Sequence, residues 1–111
     1  MNFSISSSFE TQPTMWLVKP VGEIDIFNSS EFKRDLLELV NDKQADICID
    51  CESLEYIDST ALGVLMSVLK KVKEYDGNIY IKNMRPNLAK LFSITSLDKV
   101  FIILDGDENG K

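Results

Sequence analysis

From Trp16 onward, short apolar runs alternate with longer stretches of apolar residues at helical spacing, and this alternation constrains the fold more than any other feature. Strands that alternate with helices are joined by right-handed crossovers and become parallel neighbours in a sheet. Ahead of the alternation, Phe3 to Phe9 and Trp16 to Val21 both read as strands. The short turn around Gln12-Pro13-Thr14 makes them an antiparallel pair. Gly22-Glu23-Ile24-Asp25 is then expected to leave the sheet. Asn28, with Glu31 three residues on, reads as the N-cap of a first helix over Ser29 to Val40. Phe32, Leu36, Leu39 and Val40 follow there at helical spacing.

Ala45 to Cys51 is predicted as a third strand and Ser59 to Tyr75 as a second helix. Asp76-Gly77 ends that helix, with Gly77 as the left-handed residue. Asn78 to Lys82 reads as a fourth strand. Pro86 opens a third helix with Leu88, Leu91 and Phe92 on one face, and Val100 to Leu104 is a fifth strand. The expected architecture is one α/β domain over residues 1–104. Its sheet is mixed but mostly parallel, of about five strands, with an N-terminal antiparallel hairpin and helices packed on it. Residues 105–111 read as a polar, mobile tail.

A chain of 111 residues with 44% hydrophobic content can build one core of its own. The formal charge of −6 argues against nucleic acid as a partner, because phosphate backbones need a basic surface. The opening MNFSISSSFE has neither the basic nor the apolar region of a secretory signal. No apolar run approaches the roughly 18 residues of a membrane helix. The expectation is a soluble, cytoplasmic protein that does not enter a membrane.

Cys48 and Cys51 form a C-x-x-C spacing, which raises the possibility of a small thiol oxidoreductase. Redox motifs of this kind start a helix, where the macrodipole lowers the thiol pKa. Here the pair lies in ADICIDC, a strand-like stretch in which residues three apart point to opposite faces. Two cysteines and no histidine also fall short of the four ligands zinc takes. They read as ordinary buried cysteines, with no metal site. The absence of histidine removes a Ser-His-Asp triad, and no phosphate-binding glycine loop is present. No enzyme activity and no cofactor is expected.

What remains is YIDSTALGVL, Tyr56 to Leu65, where Asp58, Ser59 and Thr60 sit between an apolar run and a helical pattern. An acid or hydroxyl at a helix start is a natural cap. The same hydroxyl can also be a switch, since a phosphoryl group would add about −1.5 to −2 charges there. Stepping about 100° per residue along the helix puts Ala61, Leu62, Leu65, Leu69 and Val72 on a core stripe. Val64 and Val68 flank one side of that stripe and Met66 the other. The arc is wider than one buried face requires, so either neighbouring elements cover it or part of it is free for a partner. Gly63 lies one turn beyond Ser59 on the same side. Glycine there costs on the order of 1 kcal/mol against alanine, and either close packing or access to Ser59 would explain it.

The segment LEYIDSTALGVL, Leu54 to Leu65, resembles the D-S-[ST]-G-[LI]-G segment of STAS domains in the bacterial anti-sigma factor antagonist family. VGEIDIFNSSEFK, Val21 to Lys33, resembles the family's G-E-[IL]-D segment and the helix after it. RPNLAKLFSITSLDKVFII, Arg85 to Ile103, is similar to the family's closing helix and last strand. The resemblance implies a STAS-like domain acting as a partner switch. The unphosphorylated antagonist binds an anti-sigma factor that is also a serine kinase and so frees a sigma factor. Phosphorylation breaks the complex and a phosphatase resets it. By motif position Ser59 is the phosphoacceptor, with Asp25, Asn28, Asp58, Thr60, Gly63 and Met66 as its neighbours or partner contacts. Ala61 stands where the family has glycine. The chain also ends soon after Leu104, where family members commonly carry a last helix. Without that helix, a sheet face or strand edge near Val100 to Leu104 would be less covered, and the expectation is a monomer or weak dimer. The alternative is a STAS scaffold or small-ligand module that is never phosphorylated.

Overall fold

A computed structural model describes residues 3–104 of the chain; the expected tail, 105–111, lies outside the described residues. The opening hairpin is longer than its apolar pattern predicts, with β1 over Phe3–Thr11 and β2 over Thr14–Ile24. The two run antiparallel from the Thr11–Thr14 pair at the turn to Phe3 opposite Gly22. After it come α1 (Ser29–Asp42), β3 (Asp46–Asp50), β4 (Leu54–Ile57) and α2 (Ser59–Lys73). The described chain closes with β5 (Ile79–Lys82), α3 (Pro86–Ile94), a short 3-10 turn and β6 (Ile102–Leu104). The sheet order is β1-β2-β3-β5-β6, with β4 also paired to β2, and every pairing beyond the hairpin is parallel.

Gly22, Glu23 and Ile24 do not leave the sheet, as their turn-like composition suggests, but stay in β2 and pair with β4. The register shifts between Gly22 and Glu23, and Gly22 sits at φ 97°, a backbone conformation that favours glycine. This bulge lets β2 exchange β3 for β4 along the same edge. The Gly22 N–H donates to the Ser53 carbonyl at the crossing, at 3.0 Å. Among the described residues the sheet therefore has six strands, one beyond the expected about five. β4 hides from periodicity because its buried residues, Leu54 and Ile57, are three apart with exposed Glu55 and Tyr56 between them.

The core lies on one face of the sheet. Val18, Ile47, Ile49, Ile79 and Ile81 are all but fully buried there with Phe32 and Leu36 of α1, Val68 and Val72 of α2, and Phe92 of α3. Burying a side chain of this size stabilises by about 1.5–3 kcal/mol. The predicted stripe of α2 is buried in full. Val64 and Val68 are buried as well, because α1 packs beside α2 and covers the wide arc. Cys51 belongs to this core, whereas Cys48 is buried but lies outside the core cluster, between Leu17 and Tyr80 in the strand register. Both thiols are unpaired, and burial pushes them up, Cys51 to about 12. A thiol so fully protonated at neutral pH is a poor nucleophile.

The end of α2 differs from expectation: the helix stops at Lys73, with Glu74 as its C-cap, rather than at Tyr75. The left-handed position is Asp76, at φ 62°, not Gly77. Gly77 is required for space. A Cβ there would stand 2.7 Å from Val72 Cγ1 and 2.9 Å from the Tyr75 ring. Its N–H donates to the Val72 carbonyl at 3.0 Å and closes the helix.

Candidate functional site

The site forms where two strand ends meet two helix starts. β2 and β4 run side by side to Ile24 and Ile57, and the Asp58 N–H donates to the Ile24 carbonyl at 3.2 Å. Asp58 then leaves the strand with extended backbone and becomes the N-cap of α2. Its Oδ1 accepts from the Thr60 N–H at 3.0 Å and the Ala61 N–H at 3.2 Å. The same oxygen accepts the Thr60 hydroxyl. The cap is thus made by the acid, and Ser59, exposed at the first helical position, is left out of it. Thr60, by contrast, has its hydroxyl tied to Asp58.

The second oxygen of Asp58 reaches across to the turn after β2. Oδ2 accepts from the Ile26 N–H at 3.1 Å. Asp25 braces the same turn from the other side, its Oδ1 accepting from the Phe27 N–H at 2.9 Å. Asn28 occupies the N-cap position of α1 but makes no capping bond with its side chain, so the expected capping box with Glu31 does not form. Its amide is committed elsewhere. Oδ1 accepts from the Asp25 N–H at 2.9 Å, and Nδ2 donates to the Glu23 carbonyl at 3.0 Å. The Asn28 and Ser29 N–H groups both donate to the Asp25 carbonyl. Every backbone N–H of residues 25–29 is thus hydrogen-bonded, and the turn is joined to the start of α2 through one carboxylate.

The Thr60 hydroxyl is the first cause of a lowered Asp58 pKa; the N–H groups of Ala61, Thr60 and Ile26 add to it against a desolvation effect that raises it. All of these bonds favour the charged form, and the site carries a fixed negative charge beside the Ser59 hydroxyl.

Of the residues expected at the site, Asp25, Asn28, Asp58 and Thr60 are brought into one network with Ser59 at its edge. Asn28 is buried within it. Gly63 is exposed, and a Cβ added there would meet nothing within 4 Å, so close packing does not explain the glycine. Met66, two turns beyond Ser59, is half-buried and packs against the core. Ala61 is fully buried inside α2, where a methyl suits the helix interior. Two residues escaped the sequence reading. Ile26 and Phe27, on the tip of the clamped turn, are 65% and 85% exposed. The available signal was a pair of large apolar residues between Asp25 and Asn28 that neither the strand nor the helix pattern absorbs.

Comparison with known proteins gives the family. The STAS domain model matches residues 6–108. The anti-sigma-B factor antagonist of Staphylococcus aureus (strain NCTC 8325 / PS 47) is 32% identical over 108 residues, covering 97% of this chain and 98% of that protein. An anti-sigma factor antagonist from Mycobacterium paratuberculosis has the same fold, with a TM-score of 0.76 at 24% identity over 90% of this chain and 85% of that one. So does the Bacillus cell fate determinant SpoIIAA in its phosphorylated form, with a TM-score of 0.73 at 17% identity over 95% and 93%. The chain belongs to the STAS domain family. Within that family it groups with the bacterial anti-sigma factor antagonists. No helix among the described residues is long and apolar enough to cross a membrane.

Proposed function

We propose that this protein is a cytoplasmic partner switch. With Ser59 unmodified it binds an anti-sigma factor that is also a serine kinase, and a sigma factor is released. Transfer of a phosphoryl group from ATP to the Ser59 hydroxyl breaks the complex, and a separate phosphatase removes the group. The observation that carries this reading is the division of labour at the helix start. Asp58 caps α2 and holds the Thr60 hydroxyl, so the exposed Ser59 hydroxyl is spared for chemistry. The S. aureus relative, named as an anti-sigma-B factor antagonist, supports the class of partner.

Electrostatics supply the off state without refolding. A phosphoryl group adds about −1.5 to −2 charges at neutral pH. It would stand beside Asp58, on a surface the partner must cover. Against an acidic group of the partner, a like-charge contact at about 4 Å costs about 1 kcal/mol in water and about 4 kcal/mol where partly shielded. Since about 1.4 kcal/mol is tenfold in affinity, one such contact weakens a complex by about fivefold in water and about several-hundredfold where shielded. Asp25, Asn28, Asp58 and Thr60 hold the surface in shape, and Gly63 and Met66 form the helix side of it. The test is the affinity of the purified anti-sigma factor kinase for two variants. Ser59→Ala is expected to bind as the unmodified protein does, and Ser59→Asp about tenfold or more weakly. Equal affinities would remove the charge mechanism.

A further inference from the structure

We infer that Ile26 and Phe27 are a hydrophobic anchor by which the protein docks into an apolar cleft of its anti-sigma factor. This rests on the reading of Ser59 as the switch and names the contact that the switch controls.

Phe27 is 85% exposed and Ile26 is 65% exposed, side by side on one turn. Their location does not serve the fold. The core is closed without them, and the burial of β2 ends at Ile24, 1% exposed, before the turn begins. A single exposed apolar residue needs no explanation, but two adjacent large ones on a loop tip do. Loop tips that carry apolar residues only by accident are also free to move, and this one is not. Ile26 is held by Asp58, Phe27 by Asp25, and Asp25 in turn by Asn28, at 2.9 to 3.1 Å. A turn already fixed by hydrogen bonds loses little backbone freedom on docking. Buried aromatic anchors of this kind carry much of the energy of protein interfaces.

Continuity with Ser59 identifies the occupant. The carboxylate that fixes Ile26 belongs to the residue immediately before Ser59. A partner that covers the Ser59 hydroxyl therefore has the Ile26–Phe27 turn beside it, one hydrogen bond from the neighbouring residue. The apolar character of that turn also makes sense of the off state. A phosphoryl group at the rim of an apolar contact has to be desolvated beside Asp58, and that cost adds to the repulsion.

The test titrates the full chain and its variants into the purified anti-sigma factor kinase of the same organism, without ATP so that Ser59 stays unmodified. Phe27→Ala is expected to weaken binding about tenfold or more, and Ile26→Ala several-fold. Ile94→Ala, at an equally exposed apolar residue on α3, is expected to bind as the parent does. Because both anchor side chains lie outside the core, unchanged thermal midpoints separate a lost contact from a lost fold. Phe27→Ala binding as tightly as the parent, with Ser59→Asp still weakened, would overturn the anchor and leave the switch standing. Loss with Phe27→Ala but none with Ser59→Asp would support the anchor and overturn the switch. Sedimentation of the protein alone provides the last arm. A dimer that Phe27→Ala dissociates, with kinase binding intact, would assign the turn to a second copy and overturn the proposal.

Discussion

The two oxygens of Asp58 join elements that are distant in the chain. Oδ1 takes the free N–H groups at the start of α2, and Oδ2 takes the Ile26 N–H from the turn after β2. A neutral amide at this position can still accept some of these bonds but carries no charge that titrates. The folded-state pKa of Asp58 lies below its usual 3.8, so its contribution to stability is complete above that value and is lost as pH falls through the folded one. Asp58→Asn is therefore expected to lower the urea midpoint at pH 7, and the gap to the parent should narrow at pH 3. A gap that is constant or widens in acid would show that the charge of Asp58 does not stabilise the folded state. The acid and its hydroxyl neighbours were legible in the sequence, since D-S-T before a helical pattern is a helix start. Which of them caps was not. That depends on backbone angles and on a turn thirty residues upstream, which local spacing does not encode.

Along α2 the glycines at its middle and beyond its end have opposite reasons to be there. Gly63 has open space around its Cα, and Gly77 has none. Gly63→Ala is expected to stabilise the protein by about 1 kcal/mol, the helix-propensity difference alone. Gly77→Ala is expected to destabilise it by about 1–3 kcal/mol, because Val72 and Tyr75 would have to move. Denaturant titration of both variants measures these signs directly. If Gly63→Ala is more stable yet binds the kinase less well, the glycine serves the surface beside Ser59 rather than the helix. The start of α2 and its core stripe could be read from the 3.6 period. The bulge at Gly22 and strand β4 could not, because a bulge breaks the period on which such reading depends.

For the molecule as a whole, alternation of apolar runs and helical spacing was sufficient to give the α/β class, the antiparallel hairpin and the parallel remainder. These follow from connection length and handedness, which are properties of the chain itself. The proposed docking turn is a surface property, and exposure of Ile26 and Phe27 becomes visible only once the core is seen to close without them. The helices and sheet then act as a rigid frame that presents one hydroxyl, one fixed charge and one apolar tip on the same rim. On the proposed mechanism, switching in such a frame needs no change of fold, only a change of charge at Ser59. The most direct measurement incubates the protein with its anti-sigma factor kinase, magnesium and ATP, maps phosphate by mass spectrometry, and weighs the complex before and after. The predicted result is a single phosphate on Ser59 and loss of the complex as it accumulates. Phosphate on other residues only, or a complex that persists with Ser59 fully phosphorylated, would contradict it.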